Sequence, residues 1–90
     1  ERTQLLEKIN EVIERNLSNQ GFRITNLAKE TAMSVSTLER RMKEIGEESP
    51  KNYIRKYRLI KALNMIKKKE FAIREVAQKC GFKSLSYFSQ

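Results

Sequence analysis

Apolar residues recur along this chain at steps of three and four, with few glycines or prolines to interrupt them. Leu5, Leu6, Ile9, Val12, Ile13 and Leu17 fall on one side of a helical wheel. Glu7, Lys8, Glu11, Glu14 and Arg15 fall on the other, so residues 1–16 are expected to form an amphipathic helix with one buried face. Ser18, Asn19, Gln20 and Gly21 then make a turn. Two shorter helices are expected, at about 24–31, buried through Leu27 and Ala28, and at about 35–45, buried through Val35, Leu38, Met42 and Ile45. Ser34 precedes the second as an N-cap, and Thr37 three residues on makes this a simple cap and not a capping box. Ser49-Pro50 opens a longer helix reaching about Lys69: Ser caps, and Pro fits the first turn, where its missing N–H is not needed. Tyr53, Tyr57, Ile60, Leu63 and Ile66 are expected to form its apolar face, and Lys51, Arg55, Lys56, Arg58, Lys61, Lys67 and Lys68 its other faces. Two short helices, at about 73–80 and 84–90, complete an all-α fold.

The chain also repeats itself. Phe22, Ile24, Leu27, Ala28 and Ala32-Met33 return 49 positions later as Phe71, Ile73, Val76, Ala77 and Gly81-Phe82. After one inserted residue the offset is 50, and Ser34, Ser36 and Leu38 match Ser84, Ser86 and Phe88. Each copy reads as a short helix, a tight turn and a Ser-capped second helix. Ala28 and Ala77 stand where two helices approach too closely for a larger side chain, and Gly81 stands in a turn where a positive φ is expected. A second helix with a polar outer face makes this a helix-turn-helix. Such a helix fits the major groove of DNA, where each base pair shows a distinct donor and acceptor pattern. A joining helix of about twenty residues spans roughly 30 Å. One turn of DNA is about 34 Å, so two such helices could enter successive major grooves on one side of a duplex. The competing reading is a six-helix bundle whose repeat reflects packing alone.

Charge sharpens the picture. The 90-residue chain carries 19 Lys and Arg against 11 acidic residues, a formal charge of +8. Residues 1–22 hold 3 basic and 4 acidic side chains, residues 23–49 hold 5 and 5, and residues 50–90 hold 11 and 2. So lopsided a distribution points to a polyanion, either nucleic acid or an acidic membrane surface. Cys80 is the only cysteine, which excludes an internal disulfide; beside Gly81 it reads as a small buried hydrophobe and not a redox switch. There is no His and no Asp, and no glycine loop to cradle phosphates, so no catalytic constellation is present and neither an enzyme nor a cofactor is expected. No apolar run is long enough to span a bilayer, and no signal-peptide pattern opens the chain. Its start at Glu1 reads as a piece of a longer protein. Phe22, Phe71, Phe82, Tyr53, Tyr57 and Phe88 are expected in the core, which leaves no aromatic ladder for single-stranded nucleic acid.

The stretches "LAKETAMSVSTLERRMK" at 27–43, "SPKNYIRKYRLIKALNMI" at 49–66 and "IREVAQKCGFKSLSYFSQ" at 73–90 resemble the DNA-binding domain of the AraC/XylS transcription regulators. The resemblance covers nearly the whole chain. It implies two homeodomain-like helix-turn-helix subdomains bridged by a long helix, binding double-stranded promoter DNA in the bacterial cytoplasm and activating transcription, with RNA polymerase as a further contact. Residues 1–48 would hold the N-terminal helix and the first unit, 49–69 the connecting helix, and 70–90 an incomplete second unit. The family continues past that point with the rest of its recognition helix and a closing helix. A separate regulatory region usually accompanies the domain, and some relatives carry it on membrane-linked sensor-kinase hybrids. The domain itself is not expected to contact membrane. Gly46 lies one residue earlier than the family's usual Gly, with Glu47 in that place, so a different cap is expected there.

Carried over residue by residue, the resemblance puts base reading on Ser36, Glu39 and Arg40 in the first unit and on Leu85, Ser86, Ser89 and Gln90 in the second. Arg40 leads: two parallel hydrogen bonds to guanine give about 1–3 kcal/mol of discrimination. A phosphate contact, or a pair with Glu44 four residues on, is the alternative. Glu39 could accept from a cytosine amine, repel wrong sites or pair with Lys43. Leu85 could meet a thymine methyl or simply pack. Backbone contacts are expected from Ser34, Thr37, Arg41, Lys43, Arg55, Lys56, Lys83, Ser84 and Tyr87, and from helix N-termini near Ser34 and Ser84. Their contribution should fall steeply with salt. Arg58 is expected to pack or to pair with an acid, and the Lys67-Lys68-Lys69 run to favour the negative end of its helix dipole. The rival function is a helical protein–protein module in which the charge is incidental. Attachment to membrane is weaker, because the apolar faces look committed to the core.

Overall fold

Local chemistry sets both ends of every short helix. The computed structural model describes residues 2–82, in the order α1 (Arg2–Arg15), α2 (Ile24–Glu30), α3 (Val35–Glu44), α4 (Pro50–Lys68) and α5 (Ile73–Lys79). Among the described residues there is no strand, and the all-α expectation is borne out. The helix expected at 84–90 lies outside the described residues.

Ser34 Oγ accepts from the Thr37 N–H at 3.1 Å, and Ser49 Oγ accepts from the Asn52 N–H at 3.4 Å ahead of Pro50. Arg23 and Ala72 carry no acceptor of their own, so α2 and α5 begin differently. Their third residues reach back: Asn26 Oδ1 accepts from the Arg23 N–H at 2.8 Å, and Glu75 Oε1 from the Ala72 N–H at 3.1 Å. The ends match as well. A left-handed residue follows each helix, Ala32 at φ 58° and Gly81 at φ 78°. The next N–H then closes back onto the helix, Met33 to the Ala28 carbonyl and Phe82 to the Ala77 carbonyl, both at 2.9 Å. The 49-residue repeat is thus a repeat of hydrogen bonds. The same closure ends α3, where Gly46 has φ 80° and the Glu47 N–H meets the Met42 carbonyl at 2.9 Å. Gly46 therefore makes a complete cap where it stands.

One core serves both units. Leu5, Ile9, Val12, Ile13 and Leu17 bury the inner face of α1 against Leu27, Ala28, Leu38 and Met42, and the cluster continues through Ile54 and Ala62 to Val76, Ala77, Cys80 and Phe82. The expected seam of α4 is wrong at two places: Ile60 and Leu63 are 50% and 57% exposed. The buried side of α4 instead runs through Pro50, Ile54 and Ala62, with Tyr53, Tyr57, Arg58, Leu59, Lys61, Met65 and Ile66 half-buried beside them. The reason is that α4 packs against three helices, α2, α3 and α5, so no single three-and-four stripe describes it. Phe71 is half-buried rather than in the core proper, with the Lys79 ammonium 4.8 Å from its ring centre.

Two phenols clamp α4 to α1. Tyr53 OH donates to Asn10 Oδ1 and Tyr57 OH to Glu14 Oε1, each at 2.6 Å, and Lys61 Nζ lies 3.0 Å from the same Glu14 oxygen. The Tyr57 bond and Lys61 hold Glu14 below the usual carboxylate range. Burial, and then the Glu14 bond, pushes Tyr57 up; burial also raises Tyr53. A phenol whose folded pKa is raised stabilises the fold below its unfolded value, and that contribution is lost as pH rises through the folded value. The thermal midpoint should therefore begin to fall near pH 10, where free phenols ionise. Tyr57→Phe should make that alkaline decline shallower, as thermal scans between pH 7 and 11 would show.

Candidate nucleic-acid interface

Helix α3 has two unlike sides. Leu38 and Met42 are buried and Val35 and Ile45 half-buried, while Ser36, Glu39, Arg40 and Lys43 stand exposed along one stripe of the opposite face. Arg40 Nη1 lies 3.2 Å from Glu44 Oε2, the intrahelical pair weighed as its alternative. Both side chains are more than half exposed, so the pair contributes at most about 1 kcal/mol and does not commit the guanidinium. Ser34 and Thr37 form a hydroxyl pair at 2.9 Å at the helix start. Arg41 is set apart from this stripe. It is half-buried with Nη1 3.7 Å from the Met33 sulfur, so it lies over the turn between α2 and α3. Leu85, Ser86, Ser89, Gln90, Lys83, Ser84 and Tyr87 lie outside the described residues.

Carboxylates temper part of the basic surface. Lys56 pairs with Glu48 at 3.1 Å, Arg15 with Glu30 at 3.4 Å, and Lys61 with Glu14. Lys43 and Glu39 border a shallow hollow of about 230 Å³ shared with Glu47 and Glu48. Arg55 is exposed on the wall of a larger cleft of about 690 Å³, together with Arg23, Lys51 and Arg58. Of these, Arg23 received no role from the sequence and Lys51 was placed only on an outer face of α4. The signal was there in part, since Arg23 directly precedes α2 and Lys51 sits in the first turn of α4.

Arg58 packs, as expected, but has no acid partner among the described residues. Its Nη2 donates to the Asn19 carbonyl at 2.8 Å, its Nε is buried without an acceptor, and burial lowers its pKa. Gly81 stands close beside it. A Cβ there would stand 3.0 Å from Arg58 Cζ and 2.5 Å from the Leu17 carbonyl oxygen. Gln20 Nε2 adds a 3.4 Å bond to the Phe82 carbonyl. The turn of the second unit is therefore docked on the loop between α1 and α2, and α4 is not the only link between the units. Among the described residues no acidic or thiol cluster could hold a metal ion, and no helix is long and apolar enough to cross a membrane.

Comparison with known proteins finds related sequences. Residues 27–90 match the model of a family described as a helix-turn-helix domain. A protein named histidine kinase P4, from Formosa agariphila, is 30% identical over 87 residues, which are 97% of this chain and 6% of that protein. The HTH-type transcriptional activator RhaS of Salmonella arizonae is 32% identical over 63 residues, 70% of this chain and 23% of that protein, and RhaS of Salmonella paratyphi B matches to the same extent. The chain thus spans under a quarter of the length of each of these relatives. No solved structure gives a significant match. The chain belongs to the helix-turn-helix family of AraC/XylS transcription regulators, as a DNA-binding domain of that kind.

Proposed function

We propose that this domain reads a specific double-stranded promoter sequence, with its two recognition helices in successive major grooves, and so activates transcription in the bacterial cytoplasm. The observation that carries the reading is the exposed polar stripe of Ser36, Glu39 and Arg40 on a helix whose other side, Leu38 and Met42, is fully buried. A helix held so firmly from behind presents its outer face at a fixed angle, which base reading requires. The AraC-type match supports the partner class, and the transcriptional activator named among the relatives supports activation, for which RNA polymerase is the further contact we infer. The short share of each relative that is matched supports a role as the DNA-reading part of a longer regulator, whose signal-receiving regions lie elsewhere.

Selecting bound duplexes from a random pool tests this, and one recurrent motif is expected. Arg40→Ala should then relax discrimination at one position of the motif by about 1–3 kcal/mol, or roughly 5- to 150-fold. Affinity for scrambled duplex should change far less. Recovery of no motif at moderate salt would overturn the sequence-specific reading.

A further inference from the structure

Cations also gather in the cleft beside α4. Arg23, Lys51, Arg55 and Arg58 line it, and no carboxylate does. Several other cations have an acid beside them: Arg40 has Glu44, Lys56 has Glu48, Lys61 has Glu14 and Arg15 has Glu30. Among the described residues, Arg23, Lys51 and Arg58 have no ion pair of this kind, and Arg58 keeps one N–H without an acceptor. Like charges held together in a concave site leave a focused positive potential, which costs stability unless an anion offsets it.

Position identifies the anion. One wall of the cleft is Arg23, at the entry to the first helix-turn-helix. The other is Gly81 and Phe82, which the repeat equates with Ala32 and Met33, the residues just before Ser34 and α3. The cleft therefore lies between the first unit and the turn of the second. A duplex that offers successive major grooves to the two units must carry a stretch of sugar-phosphate backbone past this point.

We propose that the cleft is a DNA phosphate-binding site, in which Arg23 and Lys51 hold the backbone between the two recognition helices. This rests on the promoter-binding reading above. It adds two anchoring residues and a place on the duplex. The contacts carry no base information, so they raise affinity for every sequence alike and set how far the two units advance along the groove.

The test is a titration of the 90-residue chain with its selected duplex and with a scrambled one, over a series of KCl concentrations. Each phosphate neutralised contributes about 0.9 to the slope of log K against log salt. The double variant Arg23→Gln with Lys51→Gln should lose about 1.8 of that slope, and roughly 8-fold in affinity per contact at 0.1 M salt, equally on both duplexes. The control Lys8→Gln with Lys67→Gln removes the same charge from exposed sites outside the cleft and should lose much less. Neutral methylphosphonates placed between the two half-sites should weaken the wild type and leave the double variant unaffected. All four side chains are exposed, so thermal midpoints should stay level and a loss of binding cannot be a loss of fold. An unchanged salt slope in the cleft variant, or equal losses in variant and control, overturns the site. If instead the wild type binds selected and scrambled duplexes alike, promoter reading fails while the slopes still decide whether the cleft holds phosphate.

Discussion

Gly81→Ala is expected to destabilise the domain by about 2–5 kcal/mol, because two separate costs fall on one atom. The first is conformational. At φ 78° an L side chain meets its own backbone, which costs roughly 1–2 kcal/mol. The second is contact. The new Cβ would stand 2.5 Å from the Leu17 carbonyl oxygen, a backbone atom that cannot turn aside, and 3.0 Å from the Arg58 guanidinium. Forcing such a group into a packed site costs about 1–3 kcal/mol more. Gly46→Ala separates the two costs. Gly46 has φ 80°, but nothing lies within 4 Å of its would-be Cβ, so only the conformational cost of about 1–2 kcal/mol applies. In a domain of this size each kcal/mol moves the melting midpoint by about 4–8 °C, so the two variants should differ clearly in a thermal scan. Equal midpoints would mean that the second turn is not pressed against the first unit.

Leu38→Ala should be comparably damaging, by about 2–5 kcal/mol, for the opposite reason: it leaves a cavity. Leu38 is fully buried in the shared core. Total stability for small domains is about 5–15 kcal/mol, so this single loss removes a large share of it. The unfolding midpoint in urea should drop with little change in slope. DNA binding should fail on every sequence, since α3 loses the packing that fixes it. Ser36→Ala, two residues away on the exposed side, should shift stability by less than about 0.5 kcal/mol. The pair separates what holds the helix from what the helix presents.

Much of this was legible in the chain because the signals are local. Ser34, Ser49 and Pro50 mark helix starts by their own hydrogen-bonding chemistry, and the observed bounds fall within about two residues of those read from the pattern. The duplication was visible as letters before it was visible as bonds, since a left-handed turn residue and a small helix-contact residue are needed in both copies. What the sequence hid is non-local. Ile60 and Leu63 look like seam residues until α4 is seen to be shared by α2, α3 and α5, with these two side chains left exposed. Arg41 reads as one more outward cation, yet its neighbour in space is Met33. Arg23 and Lys51 are 28 positions apart and nothing in their spacing announces a common cleft. Arg58 was read correctly as a packing residue, but its partners are backbone atoms, which carry no sequence signature.

The place of α1 carries a practical consequence. The family match begins at residue 27, yet Leu5, Ile9, Val12, Ile13 and Leu17 all lie ahead of that point, as do Asn10 and Glu14, which receive the two phenols of α4. A fragment trimmed to the matched boundary would strip the lid from Leu27 and Leu38 and leave Tyr53 and Tyr57 without acceptors. The recognisable motif is therefore smaller than the packed unit, and a shortened version of this domain is expected to need the leading helix.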